Sequence, residues 1–126
     1  MERLEKVQKR MVAAVTGLKG STYEEKLSEL SMTTLANRRK IFDLQQAYKI
    51  ISQKDDVDPI TWFTYIRERP IGTRLASGGL NLAQPRARLE TCQNFRSCRV
   101  VECWNHLPNE TKLAKTVIEF RKKIRA

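Results

Sequence analysis

Apolar residues in this chain recur three and four positions apart, in short blocks closed by glycine, proline or capping residues. That spacing makes helices its main element. Leu4, Val7, Met11 and Val15 mark an amphipathic helix over residues 2–15, with Gly17 placed to end it. Ser21 and Glu24 in "STYE" read as a capping box opening a second helix, striped by Tyr23, Leu27 and Leu30. Thr33 or Thr34 can cap the longest helix, about 34–52, along which Leu35, Ile41, Leu44, Tyr48 and Ile51 share a side. After the polar link "QKDDVDP", Asp58 and Pro59 suit an N-cap and first helical position, so "ITWFTYI" reads as one short helix.

Residues 67–91 break the pattern. "RPIGTRLASGGLNLAQPRARLE" holds three of the five glycines and two of the four prolines, and reads as a loop or short hairpin. Helical spacing returns with Phe95, Cys98, Val101 and Trp104, and Pro108 closes that block. Thr116 and Glu119 make a second capping box before Val117, Phe120 and Ile124. The expected fold is mainly α, with five to six short helices and an irregular or short-hairpin arginine-rich segment near 67–91. It divides into a helical segment 1–53 and a second, 54–126, within one compact unit.

The net charge is +10 over 126 residues. Such a balance attracts polyanions, of which nucleic acid is the commonest inside a cell; a surface charged only for solubility is the alternative. No apolar run approaches the ~20 residues of a membrane span. "MERLEKVQKR" is a charged start and not a signal sequence. Three cysteines, an odd number, fit a reduced protein of the nucleus or cytoplasm.

From Arg67 to Trp104 there are seven arginines and no lysine: Arg67, Arg69, Arg74, Arg86, Arg88, Arg96 and Arg99. Lysine serves solubility equally well, whereas arginine adds a planar fork for phosphate and a face that stacks on bases. Arg38, Arg39 and Lys40 crowd the start of the third helix, the unfavourable end for cations. An anionic partner or a plain solvated face would account for them.

Chemistry finds little support. Asp55 and Asp56 lie in a polar link with Asp58 soon after and no third acid at a nearby strand end, as solvated capping residues do. Cys98, Cys103 and His106 are spaced C-x4-C-x2-H, without the tight paired pattern of structural zinc. A Cys–His catalytic pair has no third group to orient it, and no glycine-rich phosphate loop occurs. The expectation is a chain that is not an enzyme, with no catalytic residue, metal or cofactor. Phe95 and Trp104 are candidate core anchors beside Val101, with base stacking as the other use of such rings. Arg96 and Arg99 occupy the opposite side and are candidates for outside contact.

The order of these motifs resembles the region after the polymerase core in non-LTR (LINE-type) retrotransposon reverse transcriptases. The family's L-E-x-[VI]-Q-[RK]-R is matched by Leu4, Glu5, Val7, Gln8, Lys9 and Arg10. Gly17, Leu18, Tyr23, Lys26 and Leu27 follow, then Leu35, Arg38, Arg39, Asp43, Tyr48, Lys49 and Ile50. Its later R-x-R-L…N-F-x-x-R-V-V-x-x-W-N-x-L-P is matched through Arg86, Arg88, Leu89, Asn94, Phe95, Arg99, Val100, Val101, Trp104, Asn105, Leu107 and Pro108. Arg96 stands where a second aromatic is usual. The family's aromatic-Ala-Asp-Asp metal motif has no counterpart here. The resemblance implies a thumb and C-terminal region without its palm, gripping template RNA or an RNA–DNA hybrid by the backbone. The implied binding residues are Lys9, Arg10, Arg38 and Arg39, with the arginines from 67 to 99. An upstream palm domain is a second implied partner, and no membrane is. A helical protein-interaction domain, or an inert retrotransposon relic, is the alternative. If the first helix belongs against a palm, Leu4, Val7 and Met11 are expected to be exposed in this chain.

Overall fold

A computed structural model describes residues 2–15, 17, 20–66, 80–86 and 88–125. It is mainly helical: α1 (Glu2–Ala13), α2 (Tyr23–Glu29), α3 (Leu35–Ile51), α4 (Pro59–Trp62), α5 (Glu90–Gln93), α6 (Arg96–Asn105), α7 (Asn109–Lys112) and α8 (Val117–Arg125). No described helix is long and apolar enough to cross a membrane. The chain forms two units, Met1–Lys40 and Ile41–Ala126, and the division falls inside α3.

In the first unit α1 and α2 pack together, burying Val12 and Leu27. The buried side of α1 is not the stripe of Leu4, Val7 and Met11, which are all exposed. It carries Gln8 instead, whose Nε2 donates to Thr33 O at 3.1 Å. The capping box of α2 lies one residue later than the sequence suggests. Thr22 Oγ1 accepts from Glu25 N–H, and Glu25 Oε2 accepts from Thr22 N–H at 2.8 Å. Thr34 caps α3 by accepting from Asn37 N–H at 3.2 Å. Both α2 and α3 end on a non-glycine residue at positive φ, Ser31 (52°) and Gln53 (51°). Each is followed by a bond spanning five residues, Met32 N–H to Leu27 O and Lys54 N–H to Lys49 O, which satisfies a carbonyl the helix end would orphan.

In the second unit Leu44, Ala47, Tyr48 and Ile50 of α3 meet Val100, Val101 and Trp104 of α6 and Phe120 of α8. Tyr48 stacks on Phe120 with centroids 4.3 Å apart, and its hydroxyl donates to Ala114 O. Burying side chains such as Phe120 and Leu44 stabilises by about 1.5–3 kcal/mol each.

"ITWFTYI" does not continue as one helix. Asp58 accepts from Ile60 N–H and starts α4, but Phe63 is already extended and α4 lasts four residues. The β-branched and aromatic residues after Trp62 pair with a second arm instead. Ile66 N–H donates to Asn81 O and Ala83 N–H to Thr64 O, around an isolated antiparallel bridge between Tyr65 and Leu82. This buries Phe63 and Leu82 in the core. The expected irregular or hairpin segment falls largely on 67–79, outside the described residues. Its far arm is fastened to α6: Trp104 Nε1 donates to Leu80 O at 2.9 Å. The Asn105 amide accepts from Leu82 N–H at 2.9 Å and donates to Leu82 O at 2.8 Å.

Candidate nucleic-acid interface

Lys9, Arg10, Arg38 and Arg39 are exposed in the first unit, and none has a carboxylate partner among the described residues. Lys9 Nζ lies 5.0 Å from the Tyr23 ring centroid, a cation–π contact that leaves its charge uncancelled. The first turn of α3 contains no acid of its own. Glu5 of α1 supplies one: its Oε2 accepts from Leu35 N–H at 3.1 Å, while Oε1 accepts from Tyr23 Oη at 2.8 Å. A carboxylate at this helix start opposes the dipole penalty of Arg38 and Arg39 without pairing either guanidinium. Burial, with the hydrogen bond to Glu5 second, pushes the Tyr23 hydroxyl above its ordinary pKa.

The α6 arginines are placed differently from the sequence expectation. Asp43 is buried on α3, and both Arg96 and Arg99 reach it. Arg99 makes a two-pronged bridge, Nε to Oδ2 at 2.6 Å and Nη2 to Oδ1 at 2.8 Å. Its third nitrogen, Nη1, donates to Asn94 O at 2.6 Å. The hydrogen bond to Asp43 holds the Arg99 guanidinium above its usual pKa, against the opposing effect of burial. Arg99 is therefore a clamp between α3 and α6, because a buried carboxylate requires a paired cation. It is not an outward-facing phosphate ligand. Arg96 gives Asp43 a single Nε contact at 3.2 Å and stays 51% exposed.

Two of the three candidate core anchors are buried: Val101 and Trp104 are each 1% exposed. Phe95 is not an anchor. It is the N-cap of α6, where the backbone is still extended, and it stands 53% exposed. Its ring lies parallel to that of Trp62, at 7° with centroids 5.9 Å apart. Asp43 and Trp62 are the residues sequence reasoning passed over. Asp43 had a signal: it shares the buried side of α3 with Ala47 and Ile50, four and seven positions on, where a lone acid calls for a partner.

Arg86 and Arg88 are exposed, and neither has an ion pair among the described residues. Arg67, Arg69 and Arg74 lie outside the described residues. Asp55 accepts a hydrogen bond from Gln46 Nε2, and Asp58 caps α4. Cys98 is buried, Cys103 half-buried and Cys92 exposed, while His106 Nδ1 meets Glu102 O at 2.7 Å one helical turn back. Among the described residues no three His, Cys, Asp or Glu side chains are grouped to hold a metal ion. Lys112 is buried and has no acidic partner among the described residues, its Nζ donating to Asn81 Oδ1 at 2.7 Å; burial pushes its pKa below the usual lysine value.

No protein-family model, curated protein or solved structure matches the chain.

Proposed function

We propose that the chain binds nucleic acid by its phosphate backbone. In this reading it acts as the thumb and C-terminal part of a LINE-type reverse transcriptase holds template RNA or an RNA–DNA hybrid. One observation carries it. The chain has a net charge of +10, and Lys9, Arg10, Arg38, Arg39, Arg86 and Arg88 are exposed without a carboxylate partner among the described residues. Uncancelled, accessible cations gain most from displacing counterions off a polyanion. Four of these six are arginines outside α1, suited to two-pronged phosphate contact. Shape and phosphate contact dominate over base-edge readout in such a mode. The reading gives the chain a holding role and no turnover of its own.

Filter binding to a single strand across a salt series tests it. With about five phosphate contacts, the log–log slope is near −3.5. Replacing Arg38 and Arg39 by Glu, or Arg86 and Arg88 by Glu, lowers the slope by about 1.4 in each case. A slope near zero in the parent chain refutes the reading. Arg99 is left intact in these variants because its loss would take the two-pronged partner from buried Asp43 and mix a stability change with the binding readout.

The exposed stripe of Leu4, Val7 and Met11 favours a second reading, a helical domain whose α1 docks on a protein such as a polymerase palm. Under that reading alone, the charge reversals leave function unchanged.

A further inference from the structure

We propose that Trp62 and Phe95 form a stacking platform for an unpaired nucleobase, with the Arg96 guanidinium placed for the adjoining phosphate. This deepens the phosphate-binding reading and rests on it.

Two large aromatic rings outside the core are the unusual observation, since such rings contribute most when covered. Trp62 is 39% exposed and Phe95 is 53% exposed, and neither belongs to the buried cluster. Trp62 is the last residue of α4 and Phe95 the N-cap of α6, so both sit where a helix ends and a ring is carried outward. Planes 7° apart with centroids 5.9 Å apart are parallel and offset. An offset pair leaves part of each face uncovered and aligned, so a third flat ring extends the stack without rearranging it.

The local charge selects the occupant. Arg96 and Arg99 face the single carboxylate of Asp43, two positive charges against one negative. The surplus belongs to Arg96, whose only contact with Asp43 is through Nε. Among the described residues its two Nη groups have no hydrogen-bond partner. A bare aromatic pair would suit a protein surface. An aromatic pair whose Phe95 is followed in the chain by Arg96, a half-exposed guanidinium that shares one carboxylate with Arg99, suits a base joined to a phosphate. Bases in a duplex are already stacked on both faces, so the ligand class is single-stranded RNA or DNA.

The experiment uses the full chain and a deoxythymidine oligonucleotide of about ten residues. Trp104 is almost completely buried, so quenching by the strand reports on Trp62. The expected results are quenching of tryptophan fluorescence and a loss of affinity of about tenfold in Trp62→Ala and in Phe95→Ala. The salt slope stays at the parent value, because no charge has changed. A strand of abasic residues of equal length binds the parent and both variants alike. Phe95→Leu keeps the apolar bulk without the ring face, so it loses affinity while its melting temperature holds. Parent-like affinity in all three variants, with a steep salt slope intact, overturns the platform and leaves the phosphate reading standing. An equal loss on the abasic strand overturns it as well. So does a shift from dimer to monomer in sedimentation with strand affinity unchanged, which would make the rings an interface between copies. A parent chain that retains no strand at any salt removes the phosphate reading, and the platform with it.

Discussion

Helices α1 and α6 are both amphipathic, yet only α6 has its apolar side covered. In α6, Cys98, Val101 and Trp104 sit three apart and all are buried. In α1, Leu4, Val7 and Met11 keep the same kind of spacing and all are exposed, while Gln8 and Val12 are buried. Periodicity states which residues share a face. Whether that face meets protein or water depends on what the rest of the chain brings to it. The same contrast holds for the arginines. Arg99 is held by a buried acid, whereas Arg38 and Arg39 have no carboxylate partner among the described residues.

The comparison breaks most sharply at Trp104. Trp104→Ala removes the largest buried side chain and the bond that fastens Leu80, and should cost about 3–5 kcal/mol in urea unfolding. Leu4→Ala and Val7→Ala, from the matching stripe of α1, should stay within about 0.5 kcal/mol. Similar costs for the two sets would mean that α1 is covered after all. A smaller contrast separates neighbours on α6. Arg99→Ala strips Asp43 of its two-pronged partner and should cost about 2–3 kcal/mol, less than a fully buried pair because Arg99 remains 26% exposed. Arg96→Ala should cost below about 1 kcal/mol, as exposed ion pairs do. Equal losses would make Arg96 a second clamp and weaken its case as a phosphate ligand.

The smallest effect is a pH dependence from Lys112. Its folded pKa is lowered by burial from 10.5, so over that window the unfolded chain binds the extra proton. Stability therefore gains a contribution as pH rises through the lowered value towards 10.5. Tyr23 and Tyr65, with pKa values raised from 10.0, act in the opposite sense at the alkaline end. Comparing urea midpoints of the parent and Lys112→Met isolates the lysine: the variant should lack the rise. Parallel pH profiles would show that Lys112 is charged at no cost in the folded chain.

Much of the helical framework was legible because its signals are local. Thr34, Asp58 and Thr116 each accept the backbone bond that starts a helix, as their positions suggest. The i,i+3 spacing put the box of α2 on Ser21 and Glu24, and the same spacing one residue on, Thr22 with Glu25, is the one that forms. The end of α4 was hidden for a different reason. Asp58 and Pro59 announce a helix start, but the segment that draws Phe63 and Tyr65 out of it lies at 81–83, far along the chain. Phe95 was misplaced by one turn: spacing extended the α6 stripe back to a residue that only caps the helix. The charge of the chain was fully visible, but which arginines remain uncancelled was not. That depended on Asp43 reaching residues 53 and 56 positions away.

Glu5 has a consequence for how the first unit moves. One side chain of α1 holds the Tyr23 hydroxyl of α2 and the first amide of α3, while Gln8 alongside it holds Thr33. A segment of this size has too little core to resist fraying on burial alone. With three helices sharing one carboxylate, loosening any of them releases the other two, so solvent should reach their amides in a single concerted opening rather than from the chain end inward.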